Sequence, residues 1–202
     1  MRLFYSPTSP YARKILVLLA EAGKSDAVDL VLGSGSPVDS GKAPLAQNPL
    51  GKIPVLARED GPALYDSRVI SRFLDDHFAL GLYPTGPRLW EALTLEATAD
   101  GILDAAISMV YEARVRPEEK RFDAWVEGQW AKVDRALDAL ESRWMAYLHG
   151  PLDVGQIALG CALGYVDFRH GARDWRKGRP ALAVWEAGFA ARDSMKATVP
   201  PA

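Results

Sequence analysis

The chain has one cysteine, Cys161, among 202 residues. No internal disulfide can form, and this cysteine usage fits a reducing compartment, the cytoplasm. No window approaches the run of roughly 18 apolar residues that a membrane helix needs. The opening MRLFYSPTSPY lacks the long apolar core of a secretory signal. Lysine- and arginine-rich runs are missing and the net charge is -2, so the basic face that grips a nucleic-acid backbone is not advertised. There are no internal repeats or low-complexity tracts. Neither nucleic acid nor membrane is expected as a partner, and no metal is expected. Hydrophobic residues make up 49% and charged residues 25%, which is enough apolar material for a core. The length allows one large domain or two small ones.

Leu3-Phe4-Tyr5 is a short apolar run closed by SPTSP and reads as a first strand. From Pro10 to Gly23, the residues Ile15, Leu16, Leu18 and Leu19 recur at helical spacing. AVDLVL, residues 27–32, reads as a second strand, followed by a loop with one helical turn before Asn48. IPVLA (53–57) and ALYD (63–66) read as two short strands around a Glu59-Asp60-Gly61 turn. Ser67 opens a helix with Val69, Ile70, Phe73 and Leu74 on one side. After LGLYPTGP the strand signal ends. Helices are expected from Arg88 to near Pro117, from Phe122 to Trp144, over 153–169 and over 180–192. Trp125, Trp130, Trp144 and Trp185 fall on or near apolar stripes and are expected in the core. Cys161 is expected to be a small core residue. The fold class is α+β, a βαβ-ββα domain over 1–78, a linker over 79–87 and an all-helical domain over 88–202.

Three short segments carry candidate chemistry. In Thr8-Ser9-Pro10-Tyr11, Ser9 stands where a helix begins and Pro10 fills its first position. Ser9 is a cap, a reactive hydroxyl, or both. In NPLGKIPVL (48–56), Pro54 opens a strand. Its peptide bond is either trans at a sheet edge or cis, which would turn the Ile53 carbonyl and amide outward toward an extended peptide. In YDS (65–67), Asp66-Ser67 starts another helix. The pair is a cap or an anion site, where the free amides and the Ser67 hydroxyl take a carboxylate and Asp66 takes an ammonium. Lys52 either faces solvent or holds a second carboxylate. The ligand these segments suggest is an extended peptide with a carboxylate at each end and a reactive group between them.

Together the segments resemble the glutathione transferase superfamily, over nearly the whole chain. TSPYAR resembles the Cys-Pro-Tyr-Cys turn of glutaredoxins, with Ser9 at the nucleophile's place and Ala12 at the second. NPLGKIPVL resembles the family's Asn-Pro-x-Gly-Lys-Val-Pro segment, whose proline is cis. This implies that Ile53 offers its backbone to the cysteinyl part of glutathione. YDS resembles the Glu/Asp-Ser pair that holds the γ-glutamyl end. DVGQIALGCALGYVDFR (153–169) resembles the family's buried core helix, with Asp153-x-x-Gln156 in place of Ser/Thr-x-x-Asp. YVDFR and the tail FAARDSMKATVPP look like a group of small bacterial transferases. The resemblance implies a thioredoxin-like first domain.

The resemblance also implies the activating residue. Tyrosine-using members place it about six residues before the arginine of the first helix, and here that position is Pro7. Cysteine-using members need a thiol near Ser9 or Pro10. Serine-using members place it four before that arginine, and Ser9 is four before Arg13; Thr8 is the runner-up. The implied activity is a glutathione transferase in which Ser9 donates its hydroxyl to the glutathione thiolate. Glutathione, the co-substrate, is held by Ser9, Lys52, Ile53, Pro54, Asp66 and Ser67, and is added to small electrophiles in detoxification. Tyr111 and Arg114, and more weakly Tyr11 and Tyr165, are candidates for the electrophile's pocket. The family is usually dimeric, and Asp100 or Asp104 would then reach a partner's γ-glutamyl ammonium. The competing expectation is a non-catalytic ligand-binding or regulatory scaffold of the same fold.

Overall fold

The computed structural model describes residues 1–201; Ala202, the last residue of the expected helical span, lies outside the described residues. The chain divides into two compact units. The first comprises Met1–Gly86 and the segment from Asp193 onward, and the second is Pro87–Arg192. The expected α+β class, a thioredoxin-like unit and an all-helical unit, is the one observed.

In the first unit, strands β1 (Arg2–Tyr5), β2 (Asp29–Leu32) and β3 (Val55–Ala57) form a sheet of order β2-β1-β3. β1 runs parallel to β2, with Arg2 opposite Asp29, and antiparallel to β3, with Phe4 opposite Val55. Helices α1 (Pro10–Glu21) and α2 (Ser67–Phe78) supply the rest of its core. Ile15, Leu18, Ile70 and Leu74 are fully buried, as are Leu3, Val55 and Leu56 of the strands. α1 ends where Gly23 takes φ +63, a conformation open to a residue without Cβ. α2 ends at Ala79, and the buried carboxylate of Asp75 then accepts from the amides of Leu82 (2.6 Å) and Tyr83 (3.3 Å).

The expected strand over 63–66 is a single bridge, Leu64 opposite Leu56. Its neighbours explain why. Pro62 has no N–H to donate and its carbonyl accepts from Arg58 Nε, while Asp66 is committed to capping α2. The expected turn before Asn48 is closed by the Asn48 amide donating to the Pro44 carbonyl at 2.8 Å. The last short helix, α8 (Asp193–Ala197), packs on α1. Arg13, 7% exposed, donates to the Met195 carbonyl (3.0 Å) and to Thr198 Oγ1 (3.3 Å), and Ser194 Oγ donates to Glu21. These bonds place the segment after Asp193 with the first unit, although its helical pattern continues that of the second.

The second unit is built on α3 (Arg88–Val115), α4 (Asp123–Arg143), α5 (Met145–Leu148), α6 (Val154–His170) and α7 (Pro180–Ala190). α6 is buried on all sides from Val154 to Leu163, as expected for a core helix. Cys161 is fully buried in it. Asp153 accepts from the amides of Gly155 (3.0 Å) and Gln156 (3.2 Å), and the Gln156 side chain accepts from the Asp153 amide at 2.9 Å. This is the reciprocal cap expected of Asp153-x-x-Gln156. α3 packs closely against α6. A Cβ on Gly155 would come within 2.9 Å of the Ala92 carbonyl oxygen, so only glycine fits. Of the four indoles expected in the core, Trp185 is buried, Trp130 and Trp144 are half-buried, and Trp125 is exposed at 38%. The most buried indole is Trp175, 1% exposed, whose Nε1 donates to Asp167 at 2.8 Å. No helix among the described residues is long and apolar enough to cross a membrane.

Candidate functional site

The register of the sheet gathers the candidate residues of the first unit. β1 leads through Ser6-Thr8 into Ser9 and α1. The antiparallel pairing of Phe4 with Val55 sets Ile53-Pro54 beside that same exit. Leu56 pairs with Leu64 in turn, which brings Asp66 level with Pro54. Two helix N-termini and one sheet-edge peptide therefore meet at the carboxyl end of β1.

Ser9 has extended backbone (φ -82, ψ 116), and its Oγ accepts from the Ala12 amide at 3.3 Å. The Ser9 carbonyl accepts from Arg13 N at 2.9 Å. Thr8 is differently occupied. Its hydroxyl pairs with Ser6 Oγ at 3.2 Å, and its amide donates to the same oxygen at 3.4 Å. Ser6 was not among the residues singled out from the sequence, and only the short Ser-x-Thr spacing hints at this pair.

The Ile53–Pro54 peptide is cis. Among the described residues, no loop or turn hydrogen bond uses the main-chain N–H or C=O of Ile53. The loop before it is pinned by Asn48, 1% exposed, whose Nδ2 donates to the Lys52 carbonyl (2.9 Å) while its Oδ1 accepts from Leu50 N (3.0 Å). Lys52 itself is exposed.

Asp66 caps α2, accepting from Arg68 N at 3.0 Å. The Asp66–Ser67 step follows a second cis bond, Tyr65–Asp66. Ser67 is 2% exposed and its hydroxyl has no hydrogen-bond partner among the described residues. The Asp66 carboxylate is not vacant. Arg68 Nη2 reaches it at 2.9 Å. Partial burial by itself would raise the Asp66 carboxyl, but Arg68 and the nearby Lys14 hold it below the usual carboxylate range. Lys14, 1% exposed on α1, and Arg68 are the charged residues that the sequence reading missed. Arg68 follows the cap by two residues, a spacing that helical periodicity does not highlight.

The remaining candidates belong to other settings. Tyr11 is half-buried in the first turn of α1. Tyr111, half-buried, and Arg114, exposed, lie near the end of α3 in the helical unit. Both act electrostatically on Tyr165 of α6. Burial pushes the Tyr165 phenol up, Arg169 and Arg114 pull it down, and Tyr111 adds to the rise. Asp100 is buried and Asp104 exposed, one turn apart on α3. No cluster of three His, Cys, Asp or Glu suited to a metal occurs among the described residues.

Comparison with known proteins fits this geometry. Residues 8–77 match the family model "Glutathione S-transferase, N-terminal domain", and residues 123–188 match "Glutathione S-transferase, C-terminal domain". An Escherichia coli (strain K12) protein described as "Uncharacterized GST-like protein YibF" is 32% identical over 205 residues, spanning 100% of this chain and 99% of that protein. A crystal structure of a glutathione transferase family member from Pseudomonas fluorescens Pf-5, with bound glutathione, is 45% identical. It has a TM-score of 0.96, with 100% of this chain and 99% of that chain covered. A second structure from the same source, with bound S-(propanoic acid)-glutathione, is 44% identical at a TM-score of 0.92, covering 100% of both chains.

Proposed function

The chain belongs to the glutathione S-transferase family, and from that premise we propose that its first unit binds glutathione and that Ser9 holds the bound thiolate by donating its hydroxyl proton to sulfur. The observation that carries this is the Ser9 geometry. A hydroxyl has one proton to give and two lone pairs to accept with. Capping uses a lone pair, toward the Ala12 amide at 3.3 Å, so the proton remains for the ligand. Capping and catalysis are therefore compatible in one residue. The Thr8 hydroxyl is paired with Ser6, which favours Ser9 over Thr8.

The other contacts follow the same chemistry. The Ile53 N–H and C=O pair with the cysteinyl unit as a short added strand. The Ser67 hydroxyl and the N-terminus of α2 take the γ-glutamyl carboxylate. Asp66 takes the γ-glutamyl ammonium in competition with Arg68, and Lys52 takes the glycyl carboxylate. In water a thiol of pKa ~8.5 is only about 3% thiolate at pH 7, and a pKa of ~6.5 raises this to about 75%. That shift needs ~2.7 kcal/mol of preference for the anion. A charge-assisted hydrogen bond supplies ~1.5–3 kcal/mol, and a helix start adds ~0.3–1. Ser9 on α1 is therefore sufficient in size without itself losing a proton.

The thiol proton goes to solvent, the sulfur electron pair forms a bond to the electrophilic carbon, and the leaving group departs with its own pair. Tyr11, Tyr111 and Arg114 are proposed to contact the electrophile. The Pseudomonas structure with bound S-(propanoic acid)-glutathione supports a site that accommodates a carbon substituent on the glutathione sulfur. Two copies are proposed to pair, with Asp100 or Asp104 serving the partner's ligand, in a cytoplasmic detoxifying role. The test is a calorimetric titration with glutathione followed by turnover of a chlorodinitrobenzene-type acceptor. Saturable binding with turnover supports the proposal. Binding without turnover on a panel of electrophiles would favour a non-catalytic scaffold, and no heat at millimolar glutathione would end both.

A further inference from the structure

Ser9 reaches α1 through a four-residue turn, Ser6-Pro7-Thr8-Ser9, closed by the Ser9 amide donating to the Ser6 carbonyl at 3.0 Å. Pro7 brings the φ that the second turn position needs, and serine suits the first. Thr8, at the third position, has no positive φ, which excludes the turn form that calls for glycine there. The remaining form sets this position near the bridge region, where backbone is only sparsely allowed. Ser6 holds Thr8 in place twice over. Its Oγ accepts from the Thr8 amide at 3.4 Å, and the two hydroxyls pair at 3.2 Å. The Ser9 hydroxyl itself is held loosely, because its cap bond to the Ala12 amide, at 3.3 Å, exceeds the usual N–H···O range. Its direction is therefore set by two backbone anchors, the Ser9 carbonyl accepting from Arg13 N at 2.9 Å and the Ser9 amide tied to Ser6. The second anchor is only as fixed as the turn. All of these groups lie in the first unit.

We infer that Ser6 is a positioning residue for Ser9: by clamping the amide and the hydroxyl of Thr8 it fixes the turn that sets where the Ser9 hydroxyl points. This role deepens the transferase reading above and rests on it. A hydroxyl steadies a thiolate only when its O–H is aimed at sulfur, because hydrogen bonds weaken steeply away from the donor axis. A catalytic group that its supporting residues leave loosely placed loses rate while its ligand still binds. Ser6 needs no contact with glutathione to act in this way, and no proton moves to or from it.

The test is an ultraviolet titration of the thiolate of bound glutathione, with kcat and KM measured on a chlorodinitrobenzene-type acceptor. Ser6→Ala should raise the midpoint from ~6.5 by about 0.5–1 pH unit, against about 1.1–2.2 for Ser9→Ala. At pH 7 kcat should fall about 1.5- to 3-fold and recover as pH rises past ~9, with the KM for glutathione little changed. Thr8→Val breaks the same clamp from its other side and should give the same shift. The double variant should be no worse than either single one. Ser6→Thr keeps a hydroxyl and should restore most of the midpoint. Should Ser6→Ala fail to fold, Thr8→Val and its hydroxyl-keeping counterpart Thr8→Ser carry the same comparison. An equal loss at every pH with an unmoved midpoint makes Ser6 merely structural and overturns the inference. So does a shift from Ser6→Ala with Thr8→Val silent, which would make Ser6 the donor itself. Glutathione calorimetry and the Ser9→Ala titration separate the failures. If glutathione binds and Ser9→Ala moves the midpoint while Ser6→Ala does not, this inference alone ends. If glutathione does not bind, or Ser9→Ala leaves the midpoint in place, the transferase reading of Ser9 ends and this inference ends with it.

Discussion

Replacing Ser9 by alanine and, separately, by glycine separates its capping role from its chemistry. Both replacements remove the hydroxyl, but they differ as caps. Loss of a serine cap to alanine costs about 0.5–2 kcal/mol, and loss to glycine only a few tenths. The Ser9 to Ala12 bond, at 3.3 Å, is longer than the usual range, so the alanine variant should lie at the low end, about 0.5–1 kcal/mol. For a chain of this size that lowers Tm by about 1–4 °C. The catalytic loss should be the same in both variants. Removing a charge-assisted hydrogen bond of ~1.5–3 kcal/mol raises the bound thiol by about 1.1–2.2 pKa units. At pH 7 the thiolate fraction then falls from about 75% to about 2–20%. The turnover rate should drop about 4- to 40-fold, and both variants should converge toward the unaltered enzyme as pH rises past ~9. Melting curves and pH–rate profiles with a chlorodinitrobenzene-type acceptor measure the two effects. If glycine restores activity along with stability, Ser9 is a cap and nothing more. If neither variant changes the pH profile, the activating group lies elsewhere.

Arg68→Ala should tighten glutathione by about 1.5- to 5-fold in calorimetry, because it releases the Asp66 carboxylate from a largely exposed ion pair of ~0.2–1 kcal/mol. Burial, with Arg173 and Arg169 nearby, holds the His170 imidazole below its ordinary range despite the opposing bond to the Ala106 carbonyl at 2.9 Å. The folded protein therefore resists protonation that the unfolded chain accepts. Stability should be intact above the unfolded value of ~6.5 and fall as pH drops below it. His170→Gln should flatten that slope in denaturant titrations. Gly155→Ala should destabilise by about 1–3 kcal/mol through the clash with the Ala92 carbonyl oxygen, read as a lower denaturant midpoint with glutathione affinity per folded molecule unchanged.

Much of the fold was legible because local signals agreed with the final structure. Ser9-Pro10, Asp66 and Asp153 each cap the helix that their residue types announce. The strands were harder. Residues 63–66 have strand composition but make one bridge, because Asp66 must leave the sheet to cap α2. Indoles were misplaced where pattern and partner disagree. Trp125 lies on an apolar stripe yet faces outward, while Trp175, inside the polar stretch ARDWRKGRP, is buried because Asp167 satisfies its N–H. Nothing local marks the segment after Asp193 as part of the first unit. Its placement depends on Arg13, 182 positions before Met195 in sequence. In the candidate site, the three segments were readable as motifs. The Asp66–Arg68 and Ser6–Thr8 pairs, which decide which groups remain available to a ligand, depend on side-chain geometry that spacing alone does not encode.

The most direct test of the central claim is an ultraviolet titration of thiolate absorbance for glutathione bound at saturation. A midpoint near pH ~6.5 is expected, and one that moves up in Ser9→Ala. A midpoint that stays at the aqueous value of ~8.5 would contradict a site built to hold sulfur as an anion.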